Sequence, residues 1–185
     1  MKAVSHNAGL HSGAVAADRF VRVLGIDPGS SLTGYGVVDA DGKSYRLVEY
    51  SAIRPPARLT FAERLLFIGN KLEEVINRAR PDACALEETF YSVNVKSALV
   101  LGHVRGAILV SAARAGVAVF EYSPLQIKSA LVGYGRAEKH QVQEMVRVLL
   151  ELAEVPKPLD ASDALAAAIC HINTASTRAR YYGKQ

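Results

Sequence analysis

Two aspartates three residues apart, Asp160 and Asp163, stand at the entrance to an apolar run in the stretch PLDASDALAAAICH. Side chains at positions i and i+3 of a helix project from the same side, so these carboxylates would lie together. For this stretch alone, two interpretations stay open. Aspartates in a first turn cap free backbone N–H groups and suit the helix dipole. Alternatively, paired carboxylates bind a hard divalent cation such as Mg²⁺, and this metal site needs further acids from elsewhere in the chain.

Further acidic residues stand at the ends of two predicted strands. Asp27 ends the run VRVLGID, and Glu87 and Glu88 follow the run ACAL. Singly, Asp27 could open a Pro-Gly turn, and the glutamates could mark a strand's exit to solvent. Because side chains alternate along a strand, only one glutamate should face a site. If the strands are neighbours, their carboxyl ends share the sheet edge where open α/β sheets bind ligands. Asp160 and Asp163 would complete a four-acid cluster, which needs cations to stay ionised.

Turn signals and hydrophobic periodicity predict the elements that must position these acids. Three runs joined by PGSS and by Asp41-Gly42 predict an antiparallel meander. One helix is predicted to begin after Thr60, which forms a capping box with Glu63. Another is predicted to begin after Ser123, which precedes a proline. The order β-β-β-α-β-α-β-α-α-α predicts an α/β fold with a five-stranded mixed sheet: three antiparallel strands, then βα crossovers, with helices on both faces.

Composition indicates one globular domain. The chain has 185 residues, half of them hydrophobic, and a net charge of +4, which is compatible with nucleic acid. No apolar run is expected to span a bilayer. Two cysteines in apolar surroundings indicate core residues in a reducing compartment rather than a disulfide or zinc site. We expect residues 1–20 to be a disordered extension, 21–173 to form the domain, and 174–185 to be a loose basic tail.

Four stretches resemble the RuvC family of Holliday-junction resolvases, in order and spacing, over about residues 21–173. They are VLGIDPGSSLTGYGVV, ALEETFYSVNVKSALVLGHVRGA, VFEYSPLQIKSALVGYGRAEKHQVQEMV and DASDALAAAICH. The resemblance implies a ribonuclease-H-like fold and an active crossover junction endodeoxyribonuclease. The family's catalytic, metal-binding acids match Asp27, Glu87, Asp160 and Asp163, whereas Glu88 matches none of them.

The same resemblance implies DNA-binding residues. Lys128 and Lys139 match basic positions near the cleaved strand, where an ammonium group would neutralise phosphate. Without the match, each would be taken for a solvated helix lysine. Phe90 matches an aromatic residue that stacks on bases at the opened junction centre, and Tyr91 is a candidate to assist it. The alternative for Phe90 is a buried anchor of its loop.

The activity implied is symmetric hydrolysis of phosphodiester bonds in two strands of a four-way DNA junction, in recombination and DNA repair. We predict two Mg²⁺ ions per site, with Mn²⁺ as a substitute. One would activate water and the other would stabilise the leaving 3′ oxygen, with Asp27 bridging both and 5′-phosphate nicks as products. The family implies a homodimer through the helix containing Gly102 and Gly106, RuvA and RuvB as partners, no membrane, and a bacterial cytoplasmic location.

Two other functions compete with this one. Actin-like or sugar-kinase-like ATPases also begin with a GIDxG strand and hairpin, but they need a duplicated domain with a second phosphate loop. A non-catalytic junction-binding scaffold would be favoured by the loss of an acid, and all four are present. His171 lies eight residues beyond Asp163, roughly 12 Å along a helix, so we expect it to be structural, as we do His103.

Overall fold

The computed structural model describes residues 20–88 and 95–182, with side chains as far as residue 175. Within these residues the elements follow the predicted order. The strands are β1 (Val21–Asp27), β2 (Thr33–Ala40), β3 (Tyr45–Ile53), β4 (Ala83–Glu87) and β5 (Ala118–Tyr122). The helices are α1 (Phe61–Ala79), α2 (Val95–Arg114), α3 (Pro124–Val132), α4 (Lys139–Leu149) and α5 (Leu159–Tyr182). The predicted extension, except for Phe20, lies outside the described residues, as do Phe90 and Tyr91.

The sheet has the strand order β3-β2-β1-β4-β5. Strand β1 pairs antiparallel with β2 and parallel with β4, while β3 and β5 extend the two sides. This arrangement confirms the predicted five-stranded mixed sheet and its ribonuclease-H-like topology. The β1–β4 register ends at the pair Ile26 and Leu86, so the last residues of the two strands, Asp27 and Glu87, lie next to each other at the end of this pairing.

Helices cover both faces of the sheet, each over its own hydrophobic core. On one face, α1 and α2 pack on β1 and β4 through residues such as Leu24 and Ile108. On the other face, α3, α4 and α5 pack over residues such as Val23 and Val38. Cys84 and Cys170 are both buried, as predicted for core cysteines.

The predicted helix starts are confirmed by their caps. The Thr60 side chain accepts a bond from the backbone N–H of Glu63, and the Glu63 carboxylate accepts one from the backbone N–H of Thr60. Ser123 and Gln126 form the same reciprocal pair at the start of α3, followed by proline in the first turn. These caps satisfy backbone donors that the first turn of a helix otherwise leaves unpaired.

Two sequence-based expectations are corrected. Helix α5 continues to Tyr182, so the backbone of residues 174–182 is helical rather than a loose tail. No glycine or proline interrupts the chain before Gly183, which explains the continuation. The expectation that no apolar run could span a bilayer is also wrong by length and composition, since α2 meets both criteria among the described residues. A single such helix is weak evidence for a membrane, and α2 packs on α1 through Val104 and Ile108.

Candidate active site

Asp27 and Glu87 lie on the face of the sheet that α5 covers. Along β1, side chains alternate, and Val23 belongs to the core beneath α5. Asp27 is four residues further on and therefore points to the same face. Along β4, Ala85 belongs to that core, which places Glu87 there too. Glu88 follows the last residue of β4, and its backbone N–H donates to the carbonyl of Tyr122 at 2.8 Å. That only one glutamate faces the site stays a prediction from strand alternation.

Glycines in β1 and β2 allow the backbone of helix α5 to pack directly against the strands. A Cβ atom on Gly25 would lie 1.8 Å from the carbonyl oxygen of Ala164, and one on Gly34 would lie 2.1 Å from that of Asp160. Because Gly34 is paired with Asp27 across β1 and β2, this contact sets the first turn of α5 directly beside the end of β1. No role was predicted for these glycines, although a glycine inside a strand indicates close backbone approach.

The four acids share one electrostatic environment. The pKa of Asp27 is raised to about 7, first by burial and then by the negative charges of Asp163, Glu87 and Asp160. The positive charge of Lys139 opposes this shift. The structure therefore brings together, around Asp27, the residues that the sequence predicted from three separate segments of the chain.

A lysine ammonium already contacts this cluster. Lys139 Nζ lies 2.7 Å from Asp163 Oδ2, and the Asp163 side chain is 17% exposed. This hydrogen bond is the main reason why the pKa of Lys139 is raised. The pKa of Glu87 is also raised, by burial and by Asp163, with Lys139 and Lys128 opposing. Both predicted lysines thus lie close enough to the acids to influence their ionisation.

A cavity of about 250 Å³ is lined by two of the acids and by both lysines. Its polar lining comes from Glu87, Asp163, Lys128 and Lys139, and its apolar lining comes from Pro124, Ile127, Val142 and Ala166. Carboxylates and ammonium groups that line the same cavity can hold a cation and a phosphate next to each other. The cavity has the charge distribution that a phosphodiester and its counter-ions require.

The donor set fits divalent cations that prefer oxygen. Carboxylates are the ligands that Mg²⁺ and Mn²⁺ favour. Among the described residues, no three acids, histidines or cysteines already converge tightly enough to form a ready-made metal cage. Like charges repel in such a cluster, and Lys139 supplies the cation that touches it in the structure. The described acids therefore share electrostatic interactions and one ion pair with Lys139, and they do not form a rigid chelate.

The two histidines considered earlier make contacts away from the acids. His171 is buried, and its Nδ1 lies 2.8 Å from the Tyr122 hydroxyl, with the Phe120 ring packed against it. His103 Nδ1 lies 2.6 Å from the carbonyl oxygen of Leu99 on the same helix. These contacts support the structural roles predicted for both residues. Phe90 and Tyr91 fall outside the described residues, so their predicted base stacking stays a prediction.

Comparison with known proteins identifies the family. The family model described as crossover junction endodeoxyribonuclease RuvC matches residues 23–171. The RuvC protein of Ruminiclostridium cellulolyticum is 51% identical over 152 residues, which cover 82% of this chain and 92% of that protein. The RuvC protein of Chloroflexus aggregans is 50% identical over 161 residues, covering 87% of this chain and 98% of that protein.

Solved structures agree with the sequence comparison. Thermus thermophilus RuvC is 40% identical, with a TM-score of 0.80 over 85% of this chain and 96% of that chain. The same relative in complex with Holliday junction substrate gives a TM-score of 0.82 with the same coverage. The family match, the high sequence identity and the shared architecture agree. The chain therefore belongs to the RuvC family of crossover junction endodeoxyribonucleases.

Proposed function

We propose that the protein resolves four-way DNA junctions by divalent-metal-dependent hydrolysis of one phosphodiester bond in each of two strands, leaving 5′-phosphate nicks. The observation that carries the proposal is the cluster of Asp27, Glu87, Asp160 and Asp163. Two of these acids, Glu87 and Asp163, line an open cavity together with Lys128 and Lys139. Its family context supports a junction substrate, since the Thermus thermophilus relative was solved with one. Recombination and DNA repair in the bacterial cytoplasm are the setting we propose.

The four acids would hold the metal, and Mg²⁺ is the ion we propose, with Mn²⁺ as a substitute. Two divalent cations in such a site supply an activated water and stabilise the charge on the leaving 3′ oxygen. Asp27 is the central acid, because the pKa of its carboxyl responds to all three others. Asp27 must give up its proton for the site to bind metal at neutral pH, since burial and like charges raise its pKa to about 7.

Lys139 and Lys128 would act on the DNA backbone. In the structure, Lys139 neutralises Asp163, a role that a bound metal cation would take over. The ammonium groups of Lys139 and Lys128, which both line the cavity, would then be available to neutralise the phosphate of the cleaved strand. The apolar residues of the cavity would contact the sugar, which carries no sequence information.

The exposed side of α2 supports the homodimer. A Cβ atom on Gly102 or Gly106 would meet nothing within 4 Å. Apolar side chains of the same helix are exposed beside them, among them Leu99 and Val110. Burying this surface against a second copy would provide two active sites, which suits two symmetric cuts. We propose RuvA and RuvB as further partners on the basis of the family alone.

Product analysis on a mobile synthetic four-way junction tests this function. The protein should introduce paired nicks in two opposing strands with Mg²⁺, and DNA ligase should seal them, because the products carry 5′ phosphates. A linear duplex of matched sequence serves as the control and should stay intact. Tight junction binding without nicks, on junctions covering all core sequences, would instead support a non-catalytic scaffold.

A further inference from the structure

Arg105 links helix α2 to the end of the strand that carries Glu87. Its Nη1 donates to the backbone carbonyl oxygen of Glu87 at 2.8 Å. Its Nη2 pairs with Glu121 Oε1, also at 2.8 Å. The Arg105 side chain is only 18% exposed. We propose that Arg105 is a positioning residue for Glu87, holding the carboxyl end of β4 from the face of the sheet opposite the acids.

The two faces are distinguished by the core residues. Leu86 belongs to the core beneath α1 and α2, and Glu121 is its partner in the β4–β5 register. Arg105 therefore reaches the strand ends from the α2 side, whereas the Glu87 carboxylate points to the α5 side. The guanidinium thus holds the backbone of Glu87 and leaves its carboxylate available to the site.

The end of β4, like the end of β1, is paired with a neighbouring strand on one side only. Asp27 still has a ladder partner, Gly34 of β2. Glu87 pairs with Tyr122 of β5, but its pairing with β1 has already ended at Leu86. The hydrogen bond from Arg105 to the Glu87 carbonyl oxygen fixes the backbone at this residue. Since carboxylate ligands must be fixed closely to bind a cation well, residues that orient them affect metal affinity.

Arginine suits this role better than lysine. The guanidinium presents several N–H donors in a rigid plane, so one group can reach the Glu87 carbonyl and the Glu121 carboxylate together. A lysine ammonium is a compact point charge, and its flexible stem would hold the two partners less firmly. A lysine at this position should therefore restore the function only partly.

The experiment measures Mn²⁺ binding by titration calorimetry on the full chain, without DNA. The inference rests on the proposed function, because Glu87 is a metal ligand only in that proposal. Arg105→Met should weaken Mn²⁺ binding about tenfold, as substitutions of residues that orient metal ligands do. Arg105→Lys should fall between Arg105→Met and the parent. Arg114→Met is the matched control on the same helix, and it should bind Mn²⁺ as the parent does, because the Arg114 side chain is 71% exposed and forms a long ion pair, 3.6 Å, with Glu73.

Junction cleavage separates positioning from a general loss of structure. In Arg105→Met, the Mg²⁺ concentration for half-maximal cleavage should rise by the same factor, while the rate at saturating Mg²⁺ recovers to near the parent value. A folded Arg105→Met variant with the parent's Mn²⁺ affinity would overturn the proposal. If that variant does not fold, Glu121→Gln decides. This variant keeps Arg105 but loosens its anchor, so a weaker Mn²⁺ affinity supports the proposal and an unchanged one overturns it. A parent protein that binds no Mn²⁺ would instead refute the proposed function, and the role of Arg105 with it.

Discussion

Replacing Gly34 with alanine should displace the helix that carries two of the four acids. A Cβ atom at this position would lie 2.1 Å from the carbonyl oxygen of Asp160 and 2.7 Å from the backbone nitrogen of Ala161. Both neighbours are backbone atoms, so no side-chain rotation can relieve the clash. The first turn of α5 would have to retreat from β2.

The contacts set the size of the effect. Real Cβ contacts essentially never fall below 3.0 Å, so the first turn must move by about 1 Å, and such overpacking costs roughly 3 kcal/mol. For a chain of this length, that free energy lowers Tm by about 10 °C. A displacement of about 1 Å in a catalytic constellation costs about 100-fold in rate.

Gly36→Ala is the matched comparison, since Gly36 lies on the same strand and face. Its added Cβ would meet mainly the side chain of Leu165, at 2.4 Å, and this side chain can change rotamer. We expect a loss of about 1 kcal/mol in the free energy of unfolding and less than about threefold in cleavage rate. Thermal melts and junction cleavage at saturating Mg²⁺ measure both quantities.

Two results would refute this account of the helix contact. A Gly34→Ala variant with the Tm and cleavage rate of the parent would show that α5 does not need the close backbone contact between Gly34 and Asp160. Equal losses of cleavage in both glycine variants would show that the contact with Asp160 has no special effect on the acids.

Four further predictions concern the charges and the helix caps. The pKa of Asp27 is raised to about 7, so a proton competes with metal below that pH. Apparent Mn²⁺ affinity should rise about tenfold per pH unit up to about pH 7 and then level off, as calorimetry can measure. Without metal, the contribution of Asp27 to stability should be lost as pH rises from about 4 to 7, because the folded state holds this proton more tightly than the unfolded chain. Asp39 is 1% exposed and pairs with Arg22 and Arg46; Asp39→Ala should cost roughly 3 kcal/mol in urea unfolding without changing Mn²⁺ affinity. Ser123→Ala should cost about 1 kcal/mol by removing the cap of α3, measured in the same way.

The acids of the site could be predicted from the sequence because each stands at the end of an element. Asp27 and Glu87 end strands, and Asp160 and Asp163 begin a helix. Strand order and crossover rules then place these ends at one edge of the sheet. The family resemblance singled out Glu87 over Glu88, and strand alternation agreed that only one of the pair faces the site.

Contacts that depend on register and on helix height could not be predicted in this way. Asp39 was given no role from the sequence, but the register places it between Arg22 and Arg46, whose guanidinium groups neutralise its buried charge. The contact of Arg105 with the carboxyl end of β4 depends on how α2 packs on the sheet, which hydrophobic periodicity alone does not define.

The continuation of α5 was missed for a different reason. Composition suggested a loose basic tail from Thr174 onward. A helix that is already nucleated and packed against the sheet propagates easily, however, and residues with fair helix propensity extend it to Tyr182.

Junction cleavage by the parent protein and by Asp163→Asn is the most direct test of the central claim, that the four acids form a metal-dependent nuclease site. Asp39→Asn is the control, because it changes a buried acid that lies outside the cluster. The claim predicts paired nicks in a mobile junction with Mg²⁺, none in a linear duplex, and none with EDTA or in Asp163→Asn, while Asp39→Asn still cuts. Cleavage by Asp163→Asn at the parent rate, or cleavage that persists in EDTA, would contradict it.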